Sequence, residues 1–157
     1  MRLLCAVGQR DGALVVREAL ALLPGAIELI ILHVIDERPL RDVGQRRGPL
    51  RQISPERQRE LGQAEEAAGH ATLAEAEAAA HDAGAQVTSV ETRLERGRPE
   101  QIIVAQARDL RADLVALRPR EYPESFPRIG PPSIGHTARF VVDHAPCPVL
   151  LLRIAAP

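Results

Sequence analysis

Short continuous apolar runs alternate along the chain with longer segments whose apolar residues recur at helical spacing. A run of about four to eight apolar residues is typical of a strand that is buried on both faces of a sheet. Runs of this kind predict strands at residues 3–7, 28–35, 87–94, 113–117 and 149–154. The third run is the most polar and is rich in β-branched residues, so we expect it at an edge of the sheet.

The segments between these runs predict helices at residues 12–23, 55–83, 99–110 and 134–145. Three of them carry clear apolar faces, made of Val15, Ala19, Leu22 and Leu23, of Ile103, Ala107 and Leu110, and of Ile134, Ala138, Val141 and Ala145. The second helix, which Ser54 can cap and Pro55 can open, is rich in Ala and Glu. Its weaker apolar stripe consists of Leu61, Ala64, Ala68, Ala71 and Leu73. Small residues contribute little burial each, so we expect this helix to be the least firmly held.

Strands and helices that alternate in this order predict an α/β fold, in which right-handed crossovers place helices on both faces of a parallel sheet. Residues 1–157 have the length of one ordinary domain, and neither an internal repeat nor a domain boundary is visible. Residues 36–53 and 118–133 lack periodicity and are rich in Pro and Arg, so they are interpreted as irregular loops.

Composition narrows the possible partners. All 20 basic residues are Arg, and the formal net charge is −1. A chain this close to neutral has no overall basic field to draw it onto nucleic acid or an anionic membrane. No apolar stretch is long enough to span a bilayer and no signal-peptide layout is visible, so we expect a cytoplasmic protein. Cys5 and Cys147 are interpreted as buried, inert thiols.

Three segments together resemble the universal stress protein family. They are LLCAVGQRDGALVVREALALL at the start, LERGRPEQIIVAQARDLRADLVAL in the middle and IGHTARFVVDHAPCPVLLLR near the end. The resemblance implies a flavodoxin-like, three-layer sandwich with the strand order 3-2-1-4-5 and, in nucleotide-binding members, ATP at the carboxyl ends of strands one and four. It also implies a homodimer that pairs the last strand across a two-fold axis, through Val149, Leu150, Leu151 and Leu152.

The nucleotide loop that the resemblance implies is altered in this chain. In the family, glycines and a helix N-terminus bring backbone N–H groups to the phosphates. Here the family's strand-one Asp falls at Gly8, its first loop glycine falls at Arg118, and its closing Gly-Ser or Gly-Thr falls at Gly135-His136. Five prolines, which lack an N–H donor, lie between residues 118 and 135.

We therefore expect a protein that needs no cofactor and does not depend on ATP. ATP binding is the alternative, in which Arg118, Arg120 and Arg128 grip phosphate in place of backbone donors. If a nucleotide binds, the residues implied are Val7, Gly8, Gln9, Val34, Leu117, Arg118, Arg120, Gly130, Gly135, His136 and Thr137.

The candidate chemistry is sparse. His136 is a candidate for site chemistry because an anion or a helix N-terminus would influence its charge. His33 is interpreted as a hydrogen-bonded core residue, His70 and His81 as surface residues, and His144 as part of a structural turn. No nucleophile–base pair, acid pair or metal motif is visible, so we expect a non-catalytic regulatory or binding module of the universal stress type. An ATP switch with slow hydrolysis is the alternative, and a nucleotidyl-transfer or electron-transfer enzyme is disfavoured.

Overall fold

The computed structural model describes residues 1–37, 54–119 and 134–153. Its strands are β1 (Arg2–Val7), β2 (Ile27–Asp36), β3 (Val87–Gly97), β4 (Leu114–Leu117) and β5 (Val149–Leu151). Its helices are α1 (Gly12–Leu22), α2 (Pro55–Asp82), α3 (Pro99–Asp109) and α4 (His136–His144), and a 3-10 turn spans Gly84–Gln86. Every predicted strand and helix is present, with ends that shift by a few residues. Most of the predicted loops at residues 36–53 and 118–133 lie outside the described residues.

The strands form one parallel sheet in the order β3-β2-β1-β4-β5. This confirms the predicted α/β class and the strand order that the resemblance implies. Ala6 of β1 lies between Leu32 of β2 and Leu117 of β4, so the carboxyl ends of these strands meet at one edge of the sheet. The polar strand β3 lies at the sheet edge, as its composition predicts.

Helices cover both faces of the sheet because alternate residues of the central strands point into two separate cores. The core under α1 and α2 contains residues that are almost fully buried, among them Leu3, Cys5, Leu29 and Ile31. The core under α3 and α4 contains Leu4, Ile30, Ile103, Val115 and Val141. Each large apolar side chain buried in this way contributes about 1.5–3 kcal/mol to folding.

The face of α2 that packs on the sheet is not the predicted one. Ala64, Ala68 and Ala71 are exposed and Leu61 is half-buried, so of the predicted stripe Leu73 alone is buried. The buried residues of α2 are Gly69, Thr72, Leu73, Ala76, Ala79 and Ala80. The prediction failed because alanine occurs on every side of this helix and gives too little contrast to fix which side faces inward. Leu22, predicted on the apolar face of α1, is 61% exposed.

Candidate functional site

A cleft opens where the carboxyl ends of β1, β2 and β4 meet, at the point where the strand order reverses. Its volume is about 440 Å³. Apolar side chains line much of it, chiefly Ala6, Leu32, Val34, Ile103 and Leu117. The polar lining residues are Gln9, Asp11, His33, Asp36, Glu65, Arg118 and Thr137. An apolar cavity with a few polar groups is the usual form of a small-molecule site.

The cleft brings together most of the residues that the sequence suggested for nucleotide contact. Val7, Gly8, Gln9, Val34, Leu117, Arg118 and Thr137 all line it. Gly135 and His136 belong to the start of α4 and are not among the lining residues. Arg120, Arg128 and Gly130 lie outside the described residues.

A carboxylate stands beside the end of β1 even though Gly8 replaces the acidic residue expected there. Asp11 Oδ1 accepts a hydrogen bond from the backbone N–H of Gly8 over 2.9 Å. A Cβ built on Gly8 would lie 3.0 Å from the same oxygen, so Asp11 fills the space that a side chain at residue 8 would enter. Asp11 caps α1 by position, but its side chain makes no hydrogen bond to that helix. The sequence analysis missed Asp11, although it is the one acidic residue between β1 and α1.

The guanidinium of Arg118 lies close to this carboxylate. Arg118 follows β4, and its Nη1 is 3.9 Å from Asp11 Oδ2. The two side chains are 20% and 19% exposed, so water screens the pair less than it screens surface pairs. Arg118 was predicted as a phosphate-gripping residue, and in the structure part of its charge is already balanced by Asp11.

The remaining charged residues make the described part of the cleft acidic. Asp36 lines it from the end of β2, and Glu65 lines it from α2. With Asp11, the described lining therefore has three carboxylates and one guanidinium, that of Arg118. A cavity with low-dielectric walls focuses such a field, so the described lining disfavours ligands that carry several negative charges.

His33 holds the floor of the cleft in place. It is 4% exposed, and its Nδ1–H donates a hydrogen bond to the carbonyl of Val7 over 2.9 Å. This bond ties β2 to the end of β1 just where the cleft begins. His33 is therefore the hydrogen-bonded core residue that the sequence analysis predicted, and it lines the cleft as well.

His136 is not among the residues that line the cleft, and its ring lies next to α3. Gly135 precedes α4 with a φ of 86°, a conformation that favours glycine. The Nε2 of His136 lies 3.5 Å from Oε1 of Glu100, a residue in the first turn of α3 that is 3% exposed. His136 itself is 68% exposed, so the structure gives it a contact between two helix N-termini rather than a place among the lining residues.

The sequence matches the model of the universal stress protein family over residues 1–153. The chain belongs to this family. A comparison with curated proteins gives no match.

Solved universal stress proteins and related structures share the fold at low sequence identity. The protein MJ0577 is 19% identical with a TM-score of 0.75, over 99% of this chain and 97% of that one. A universal stress family protein from Arabidopsis thaliana, solved with AMP bound, is 19% identical with a TM-score of 0.62, over 99% and 93%. The universal stress protein from Archaeoglobus fulgidus in complex with dAMP is 20% identical with a TM-score of 0.58, over 98% of each chain. At these identities the likeness shows a common fold.

Within residues 1–37, 54–119 and 134–153, no group of three or more His, Cys, Asp or Glu side chains is arranged to hold a metal ion. None of the helices in the same ranges is both long enough and apolar enough to cross a membrane.

Proposed function

We propose that this universal stress protein is a non-catalytic regulatory module that binds an adenine nucleoside or nucleoside monophosphate in the cleft and does not depend on ATP. The observation that carries this proposal is the charge of the cleft's described lining, to which Asp11, Asp36 and Glu65 contribute three carboxylates and Arg118 one guanidinium.

The volume and lining of the cleft suit a nucleoside or a nucleoside monophosphate. A volume of about 440 Å³ lies within the usual range for small-molecule sites, roughly 300–1,000 Å³. The apolar side chains of Val34, Leu32 and Ile103 suit the faces of a flat base. Two solved structures with the same fold, from Arabidopsis thaliana and Archaeoglobus fulgidus, hold AMP and dAMP respectively.

Charge argues against a triphosphate. Each added phosphate brings negative charge toward carboxylates that are partly withdrawn from water, and like charges at such sites repel more strongly than they do at the surface. Among the described lining residues only Arg118 offers a guanidinium to a phosphate, and Asp11 already offsets part of its charge.

The described residues also support a non-catalytic role. Val7 engages only the Nδ1–H of His33, and among the described residues no hydroxyl or thiol is hydrogen-bonded to the other ring nitrogen, Nε2. Activation of a nucleophile requires such a base within hydrogen-bond reach.

Isothermal titration calorimetry with adenosine, AMP, ADP and ATP, each with and without Mg²⁺, tests the proposal. We expect adenosine or AMP to bind most tightly, and affinity to fall as phosphates are added. Asp11→Asn should narrow the difference between AMP and ATP, because it removes one repelling charge. Affinity that rises with phosphate number would support the ATP-switch alternative and contradict the proposal.

A further inference from the structure

Glu65 lies on the side of α2 that faces the sheet. It stands one turn before Gly69 and two turns before Thr72, and both of those residues are buried. Residues at i, i+4 and i+7 share one face of a helix. The backbone at Gly69 approaches the sheet so closely that a Cβ there would lie 3.1 Å from Cδ2 of His33, whose ring lines the cleft. Glu65 therefore lines the cleft from above the carboxyl end of β2.

One oxygen of this carboxylate lacks a partner. Glu65 Oε2 is withdrawn from solvent, and no described residue donates a hydrogen bond to it. Burying a polar group without a hydrogen bond is unfavourable, and more so for a charged group. Native proteins leave such groups unpaired at few positions, and a ligand site is one place where a donor can arrive later.

Neighbouring carboxylates on the same helix do have partners. Glu66, the next residue, is exposed, and its Oε2 lies 3.0 Å from Nη2 of Arg96. Oε2 of Glu60 lies 3.1 Å from Nη1 of Arg57. Arg57 of α2 and Arg96 of β3 thus pair with other glutamates of the helix, whereas no described arginine is hydrogen-bonded to Oε2 of Glu65.

We propose that Glu65 sets the specificity of the cleft by accepting a hydrogen bond from an N–H or O–H group of the bound nucleoside; this inference rests on the proposed function. The donor is either the amino group of the base or a hydroxyl of the sugar. The ligand donor satisfies an oxygen that is unpaired in the empty cleft, so a ligand without that donor leaves a buried carboxylate oxygen unpaired. Loss of this hydrogen bond weakens binding by more than the loss of a solvent-exposed hydrogen bond would, because the buried oxygen is then left with neither the ligand donor nor water.

The test is a cycle of protein variants against ligands that each lack one donor. The proteins are the wild type, Glu65→Ala and Glu75→Ala, the last being a matched control because Glu75 is exposed on the same helix outside the cleft. The ligands are adenosine, purine riboside, which lacks the amino group, and 2′-, 3′- and 5′-deoxyadenosine, which each lack one hydroxyl. Dissociation constants come from calorimetry.

We expect Glu65→Ala to bind adenosine at least about tenfold more weakly than the wild type does. One of the four analogues should bind the wild type more weakly by a similar factor, and should bind Glu65→Ala as tightly as adenosine does. That analogue identifies the donor. Glu75→Ala should match the wild type with every ligand. An unchanged affinity of Glu65→Ala for adenosine, or an equal loss with adenosine and all the analogues, would overturn the assignment.

Stability provides a second readout that separates recognition from a structural role. The ligand-free Glu65→Ala protein should melt at or above the wild-type temperature, because an unpaired carboxylate oxygen has been removed. A lower melting temperature combined with equal losses for all ligands would show that Glu65 supports the fold instead. Failure of the wild type to bind any of the five ligands would overturn the proposed function and this assignment together, whereas binding without coupling would overturn the assignment alone.

Discussion

Single glycines decide how closely α2 can approach the sheet. A Cβ on Gly69 would lie 2.7 Å from Cδ1 of Leu94 and 3.1 Å from Cδ2 of His33. The leucine methyl can rotate away, but His33 is fixed by its hydrogen bond to Val7. By contrast, nothing lies within 4 Å of a Cβ on Gly62 in the same helix. Substituting each of these two glycines therefore separates the effect of packing from the effect of helix propensity within the same helix.

We predict that Gly62→Ala and Gly69→Ala change stability in opposite directions. Alanine in a helix is favoured over glycine by about 1 kcal/mol, so Gly62→Ala should raise the free energy of unfolding by up to about that amount. Gly69→Ala gains the same propensity but overpacks the contact with His33, which costs roughly 1–3 kcal/mol, so its net effect should be a loss. Urea denaturation measures both. Equal gains in the two variants would show that α2 can move away from the sheet at no cost.

Cys5 is buried as predicted, but Cys147 is only half-buried, so the fold protects the two cysteines to different degrees. Full burial raises the pKa of Cys5 from 9.0 to about 12. Burial, and to a lesser degree the nearby charge of Asp113, raises the pKa of Cys147, while a backbone hydrogen bond from Val115 acts in the opposite direction. Since the thiolate is the reactive form, both cysteines should react slowly in the folded protein.

We predict that a thiol reagent at pH 8 modifies Cys147 first and Cys5 at the rate of unfolding. Raising the pH should speed the reaction of Cys147, because more of its thiol ionises. The raised pKa of Cys5 also has a consequence for stability: above pH 9 the thiol ionises in the unfolded chain before it does in the fold, so the free energy of unfolding should fall as the pH rises. Mass spectrometry of labelled peptides gives the order of reaction, and faster labelling of Cys5 than of Cys147 would contradict it.

At the scale of elements, α2 begins with strong local signals. Ser54 Oγ accepts a hydrogen bond from the backbone N–H of Arg57 over 3.2 Å, and Pro55 occupies the first turn. Residues 54–60 are exposed, so no packing supports this end of the helix. The cap should therefore determine how far the first turns stay folded.

We predict that Ser54→Ala frays the first turns of α2 and leaves the rest of the molecule unchanged. Loss of a serine cap costs about 0.5–2 kcal/mol in general. Hydrogen exchange should speed up at the backbone amides of residues 57–61 and stay the same in Leu73 and beyond. Ser54→Asp, which keeps an accepting oxygen, is the matched control. Faster exchange throughout α2 in the alanine variant would show that the helix folds as one unit instead.

The same element shows why the sequence predicted the fold better than the site. The order of the elements and the start of α2 follow from local patterns, because the central strands are apolar throughout and Ser54-Pro55 is a local signal. The order of the strands in the sheet was implied by the resemblance alone. The inward side of α2 does not follow, because Ala64, Ala68 and Ala71 look as apolar as the alanines that are buried. Glu65 was missed for that reason: its place over the cleft depends on the rotation of α2.

At the scale of the whole molecule, the position of the cleft was predictable and its charge was not. The reversal of strand order between β1 and β4 places a crevice there in any sheet of this topology. Its charge depends on Asp11 turning back toward Gly8 and meeting Arg118 from a different strand end. The contact with Gly8 joins residues three apart and the contact with Arg118 joins residues far apart in sequence, so the residue at position 8 alone indicated the loss of a carboxylate that Asp11 supplies in the fold.

The open edge at β5 is where the homodimer that the resemblance implies would form. Val149, Leu150 and Leu151 are half-buried in the single chain, while Leu152 is 4% exposed and belongs to the core. The N–H of Leu152 donates to the carbonyl of Leu117 in β4, and alternate residues of a strand point their N–H groups to opposite sides, so the N–H of Leu151 points to the open edge.

Leu151→Pro removes this outward donor, and Leu151→Ala removes the same side chain but keeps the donor. We expect the wild type and the alanine variant to be dimers at micromolar concentration in light scattering and the proline variant to be monomeric, because an edge that lacks a donor cannot complete a strand pair. A monomeric wild type, or a proline variant that remains dimeric, would show that β5 does not form the interface.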